Sequence, residues 1–252
     1  MRRLIEAEKE SPGGRLQGLQ SVSDRFYRGD IAKELDAWYR KHDGLLRQED
    51  LAEHKTFVEK PVKVDYRGYT IYKAGVWTQG PYLSQTLRLL EGFNLRQLGH
   101  LSPAYIHVVT EALKLALADR DSYYGDPRFV SVPLTKLLSN QYTLLRRPLI
   151  NLKRASFQIR PGDPYQMRPI NSSRNYPPQG REKSNDTTTC VVADRWGNMV
   201  AATPSGWGSE GDEGGPTGIT HGTRLISLNT WEGHPNETAP GKRPRITLTP
   251  TL

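Results

Sequence analysis

Asn185-Asp186-Thr187-Thr188-Thr189-Cys190-Val191-Val192-Ala193-Asp194 runs through Arg195-Trp196-Gly197-Asn198 into Met199-Val200-Ala201-Ala202-Thr203. Thr188 to Ala193 reads as a strand, 194–198 as a turn and 199–203 as the returning strand. Thr187 stands where a Pro-, Ser- and Asn-rich stretch meets that strand. A threonine hydroxyl is a weak nucleophile without a base beside it; cleavage of the peptide bond before Thr187 would create one, because the freed α-amine lies on the same residue. Its ordinary pKa near 8 leaves it partly neutral at physiological pH. The same triplet is also what a strand start contains for structural reasons, since Thr favours strands.

Upstream, near-helical spacing runs from Asp24 through Phe26-Tyr27, Ile31, Leu35 and Trp38-Tyr39 to a stop at Asp43-Gly44. Residues 1–20 read as a frayed start. Val62, Val64 and Tyr66, then Arg67-Gly68, then Tyr69 and Ile71 signal a hairpin, and 82–90 an amphipathic helix. The strongest helix opens at Ser102-Pro103, an N-cap followed by proline in the first helical position, with an apolar stripe at Ile106, Val109, Leu113 and Ala116-Leu117. A further helix is expected over 133–145. Residues 151–186, with Pro161, Pro164, Pro169, Pro177 and Pro178, read as a flexible tail. Downstream, 219–228 is β-like and 245–252 reads as a strand; Cys190, inside the first strand, is expected to be buried.

Composition narrows the function classes. The 252 residues are 36% hydrophobic and 25% charged, enough to bury a core. A single cysteine excludes an internal disulfide and a multi-cysteine metal site. No run approaches the roughly 18 apolar residues of a membrane helix, so no membrane role is expected. Met1 to Lys9 has no apolar core of a secretory signal. Of 35 Lys and Arg and 27 Asp and Glu, five and six fall in 187–252, leaving 30 and 21 in 1–186. The excess of nine is spread thinly among acids, and no nucleic-acid partner is expected. His107 and Glu111 sit four apart on the strongest helix with no third ligand in view, so they read as a structural pair.

Taken together, several segments resemble the γ-glutamyltransferase (γ-glutamyltranspeptidase) family of N-terminal nucleophile hydrolases. They are Phe26-Tyr27-Arg28-Gly29-Asp30-Ile31-Ala32, Glu49-Asp50-Leu51-Ala52, Tyr66-Arg67-Gly68, His107-Val108-Val109-Thr110-Glu111-Ala112, Ala118-Asp119-Arg120 and Gly125-Asp126-Pro127. Asp186 to Asp194 with Gly197-Asn198, and Pro240-Gly241-Lys242-Arg243-Pro244 running into Leu248-Thr249-Pro250-Thr251, complete the ordered set. The detail around them is similar to a divergent bacterial branch. The resemblance implies an α+β, four-layer αββα fold, here incomplete at both ends as an internal piece of a longer precursor. It implies autocleavage between Asp186 and Thr187: residues 1–186 would be the C-terminal part of a large subunit, ending in the flexible tail 151–186, and 187–252 the N-terminal part of a small one.

Thr187 would be the nucleophile, attacking a small-molecule γ-glutamyl amide to form an acyl-enzyme. Ser205 falls where the family has a second threonine that hydrogen-bonds the nucleophile. Trp207 replaces an Asn that holds the glutamyl head. Arg224 and Ser227 fall near the Gln and Asp that bind the donor's α-amino group, and a cation there favours a carboxylate. Ile246-Thr247 stands for the serine pair that holds the α-carboxylate. Thr187 and Ser205 are thus the implied catalytic residues, Arg224 and Thr247 the donor-binding ones. No metal or organic cofactor is implied; the parent protein would work in a bacterial cytoplasm or periplasm. An acylase with another amide substrate and a catalytically inactive fragment are the alternatives.

Overall fold

The Ser102 hydroxyl accepts the Tyr105 N–H at 3.1 Å and Pro103 occupies the first turn of the longest helix, α7 (Pro103–Tyr123), as the sequence predicts. Eight shorter α-helices flank it among the described residues of the computed structural model, which are 1–174, 188–203, 215–219 and 225–252. They are α1 (Arg2–Glu10), α2 (Arg15–Tyr27), α3 (Asp30–Lys41), α4 (Gln48–Glu53), α5 (Gly80–Leu90), α6 (Leu95–Leu98) and, after α7, α8 (Leu134–Leu137), with α9 (Asn140–Arg146) closing the helical part. Two antiparallel hairpins, β1 (Val62–Tyr66) with β2 (Tyr69–Lys73) and β3 (Cys190–Ala193) with β4 (Met199–Ala202), make the protein a mixture of helix and sheet. None of the described helices is long and apolar enough to cross a membrane.

Packing divides the chain into two units, Met1–Val58 with Gly206–Thr223, and Glu59–Ser205 with Arg224–Leu252. In the first, α1 and α2 replace the frayed start expected over 1–20. Ion pairs hold them: Arg3 bonds Glu34 at 2.8 Å, and Arg25 donates to Asp30 at 3.0 Å and to the Arg3 carbonyl at 2.8 Å. A polar helix anchored this way has a weak apolar signature, which is why composition reads it as loose.

In the second unit, Leu89 and Leu90 of α5 pack on Val108, Ala112 and Leu115 of α7, with Ile150 closing the cluster. Each of the Leu, Val and Ile side chains contributes roughly 1.5–3 kcal/mol by leaving water. The buried face of α7 runs through Val108, Glu111-Ala112, Leu115-Ala116 and Asp119, one step round from the stripe read off the sequence; Ile106 is exposed. The two carboxylates on that face disguised it. Arg67 and Gly68 both take positive φ, 51° and 86°, and form the tight turn of β1–β2 in the register Val64↔Ile71 and Val62↔Lys73.

Residues 151–174, read from composition as flexible, are tied to α7. Arg160 pairs with Glu111 at 2.9 Å, the Gly162 N–H donates to Asp119 at 2.8 Å, and Tyr123 Oη donates to the Gly162 carbonyl at 2.7 Å. Leu225–Ser227, inside the β-like stretch expected over 219–228, is a 3-10 turn instead. Cys190 is exposed, contrary to expectation, because no other described element covers its hairpin.

Candidate functional site

Thr189 and Thr203 face each other at the open end of β3–β4, with their hydroxyls 3.3 Å apart. At the other end, Asp194 closes the turn. Its carboxylate accepts the Trp196 and Asn198 N–H groups, both at 2.9 Å, and the Asn198 side-chain amide at 2.7 Å. These donors, led by the Asn198 side chain, hold the Asp194 carboxyl below its usual range. Gly197 has φ +84°, where a β-carbon is strained. Asp186, Thr187, Ser205 and Arg224 lie outside the described residues; Thr247 is the one implied site residue among them.

Thr247 sits in an extended segment laid against β2 and the start of α5. The Ile246 N–H donates to the Trp77 carbonyl at 3.0 Å, Gln79 N–H to the Leu248 carbonyl at 3.1 Å, and Leu252 and Tyr72 exchange bonds of 3.2 and 2.7 Å. Thr251 pairs antiparallel with Lys73. The strand expected over 245–252 is instead an extended segment that meets the β1–β2 hairpin through a single β-bridge. Ile246, at the first position of the implied serine pair, is buried, and Thr247 is half-buried.

Two carboxylates of the quoted motifs act as anchors, Asp126 for this segment and Asp119 for the helices behind it. Asp126 is buried and accepts from the Arg128 side chain at 2.8 Å, the Arg243 N–H at 2.9 Å and the Arg243 guanidinium at 3.3 Å. Burial pushes its carboxyl up, but the hydrogen bonds from Arg128 and Arg243 outweigh it and hold Asp126 far below the ordinary carboxylate range. A β-carbon on Gly125 would collide with the Pro235 carbonyl, so the adjoining glycine permits the approach. Asp119 joins four segments: it accepts from Arg146 at 3.2 Å, Gly162 N–H at 2.8 Å, Gln85 at 2.6 Å and Tyr142 at 3.0 Å. Burial pushes the Asp119 carboxyl up, and these partners, Arg146 first, pull it the other way.

Arg245, buried, donates to the Arg120 carbonyl at 2.9 Å and pairs with Asp121 at 2.8 Å. Its own N–H donates to the Asn236 side chain at 2.8 Å, and Asn236 in turn donates to the Ser227 carbonyl. Buried His234 accepts the Asn236 N–H at Nδ1, 3.0 Å away. Burial, aided by Arg245, pushes its imidazole down to about 4, so it is neutral. His107 bonds the Asn151 carbonyl at 2.7 Å, whereas Glu111 takes Arg160 and Lys114, so the two form no common site. No group of three or more His, Cys, Asp or Glu suited to a metal occurs among the described residues.

Lys73 is the residue the sequence reading missed. It is 2% exposed and donates to the Thr249 carbonyl at 2.8 Å, the Thr249 hydroxyl at 2.6 Å and the Thr251 hydroxyl at 2.5 Å. Burial pushes its ammonium down to about 8. Its signal was available: a lysine continuing the inward register of Val64 and Ile71.

The Asp119 and Asp126 anchors and the threonine-bearing terminal segment fall on the motifs quoted above, and comparison with known proteins identifies the class. The chain belongs to the gamma-glutamyltranspeptidase family, whose model matches residues 16–252. It is 33% identical over 237 residues to the glutathione hydrolase proenzyme of Bacillus subtilis subsp. natto, covering 91% of this chain and 40% of that protein. It is 32% identical over 232 residues to the acylase ACY 1 proenzyme of Pseudomonas sp. (strain SE83), covering 91% and 38%. The solved structure of LmbA2991HD superposes with a TM-score of 0.84 at 37% identity, covering 99% of this chain and 44% of that one. The chain thus spans about two fifths of the length of the curated relatives it matches.

Proposed function

We propose that this chain carries the nucleophile-bearing part of a self-processing threonine hydrolase or acyltransferase acting on γ-glutamyl amides. The observation that carries the reading is the family match across residues 16–252, which includes Asp186-Thr187 at the entry to the β3–β4 hairpin. In this reading the Thr187 hydroxyl attacks the Asp186 carbonyl. Water cleaves the resulting ester and frees the Thr187 α-amine, giving subunit segments 1–186 and 187–252. In turnover the amine takes the hydroxyl proton as Oγ1 attacks the donor carbonyl. That proton passes to the departing amine, and water or an acceptor amine then removes the acyl group. Ser205 orients the nucleophile, and Arg224 and Thr247 face the donor. The fold that goes with this reading is the four-layer αββα arrangement. The chemistry needs neither metal nor organic cofactor.

The second reading, an acylase on a different amide, is favoured by the likeness to the acylase ACY 1 proenzyme and by Arg224, Trp207 and Ile246 at donor-reading positions. Release of a chromogenic amine from γ-glutamyl and glutaryl anilides, compared between the native chain and Thr187→Ala, tests both. Thr187-dependent release from the γ-glutamyl amide is the expected result, and release from the glutaryl amide alone selects the acylase. Release from neither, or release that survives Thr187→Ala, overturns both.

A further inference from the structure

Lys73 places an ammonium where no counter-charge faces it among the described residues. Val62 lies opposite it on β1, and it meets Thr249 and Thr251 on the terminal segment. Among the described residues no carboxylate pairs with it. An unpaired buried ammonium is costly, and a neutral residue could fill the same space.

All three of its N–H groups are committed to the threonines, so Lys73 has none left for a ligand. Its field remains. Thr247, Thr249 and Thr251 are alternate residues of one extended segment, so they share a face. Lys73 contacts the second and third of them, which places its charge on the face that carries Thr247. Two residues of strand span about 7 Å, so an anion at the Thr247 hydroxyl would lie on the order of 8 Å from Nζ. By accepting from Lys73, the Thr249 hydroxyl is also left with its own hydrogen to donate.

We propose that Lys73 is a positioning and specificity-determining residue: it organises the Thr247–Thr251 face as a subsite for the carboxylate of an acidic acyl donor and sets the preference of that subsite for an anion. This rests on the donor-binding role proposed for Thr247. At an effective dielectric of about 20, a charge on the order of 8 Å away favours an anion over its neutral isostere by on the order of tenfold or more.

The test compares binding of glutarate and of glutaramide, read from the thermal midpoint, for the native chain, Lys73→Gln, Lys73→Met and Lys73→Arg. It runs beside turnover of anilides with and without a distal carboxylate. The native chain should bind glutarate on the order of tenfold more tightly than glutaramide. Lys73→Gln and Lys73→Met should lose that preference, and Lys73→Arg should keep most of it. In turnover the loss should appear as a raised KM for the carboxylate donor alone. Equal binding of the two ligands by the native chain overturns the proposal even if both charge-removing variants fail to fold. So does a parallel fall for charged and neutral donors, which marks a merely structural lysine. A Lys73-dependent glutarate preference without any amide turnover would sustain the subsite and sink the hydrolase reading; turnover indifferent to Lys73 would do the reverse.

Discussion

The β3–β4 hairpin and residues 227–252 both lie downstream of the Asp186–Thr187 bond, yet they are anchored in opposite ways. The hairpin presents Val191, Val192, Met199 and Val200 at 51–64% exposure, and its internal order comes from one aspartate turn. The later segment is fastened by Asp126 to Arg243, Arg245 to Asp121 and Arg120, and Lys73 to Thr249 and Thr251. Apolar strand faces left open contribute little to stability until something covers them. Buried charge pairs cost much when broken from one side. Under the proposed cut at Asp186–Thr187, the difference predicts that the segment 227–252, rather than the β3–β4 hairpin, would retain the downstream piece.

Asp126→Ala should have the largest effect. It removes a buried acceptor shared by the backbone and side chains of Arg128 and Arg243, and should lower stability by about 3 kcal/mol, the low end of what breaking a buried pair costs because Arg128 keeps access to solvent and Arg243 keeps Glu59. Urea unfolding measures it, and a loss within 0.5 kcal/mol would remove the contrast between the two regions.

Acid should act next, and on the same region. His234 stays neutral in the folded protein down to about pH 4, whereas an unfolded histidine takes up its proton near 6.5. The unfolded state therefore binds more protons in that window, and stability falls as pH drops from 6.5 toward 4. Urea midpoints at pH 7 and 4.5 should separate less in His234→Gln than in the native chain; equal separations would exclude His234 as the cause.

Gly197→Ala forces a β-carbon into a positive-φ turn and should cost about 1 kcal/mol. Its mark should be faster amide exchange in 190–202 with protection of 245–252 unchanged; loss of protection in both would couple the regions. Val192→Thr should have the smallest effect, within about 0.5 kcal/mol in urea, since the side chain is 64% exposed.

Local chemistry was readable where the physics is local. Ser102-Pro103 capped α7, Arg67-Gly68 turned β1 into β2, and Asp194 to Asn198 closed β3 onto β4. Features that depend on distant partners were not. α1 and α2 owe their place to Arg3 and Arg25 reaching Glu34 and Asp30, and the inner face of α7 includes Glu111 and Asp119, which no apolar period reveals. Arg160 and Gly162 became ordered by meeting those same carboxylates. At the candidate site the sequence pointed to Thr247 by family likeness, while Lys73 showed only as an inward lysine in the hairpin pattern, its threonine partners being set by the terminal segment laid beside β2.

The most direct test of the account is the mass of the purified chain after prolonged incubation, measured under denaturing and then native conditions. The account predicts two pieces, 1–186 and 187–252, when denatured. Under native conditions it predicts one particle holding both, with Thr187→Ala remaining a single chain. A single uncut mass, a cut elsewhere, cleavage that persists in Thr187→Ala, or pieces that separate under native conditions would contradict it.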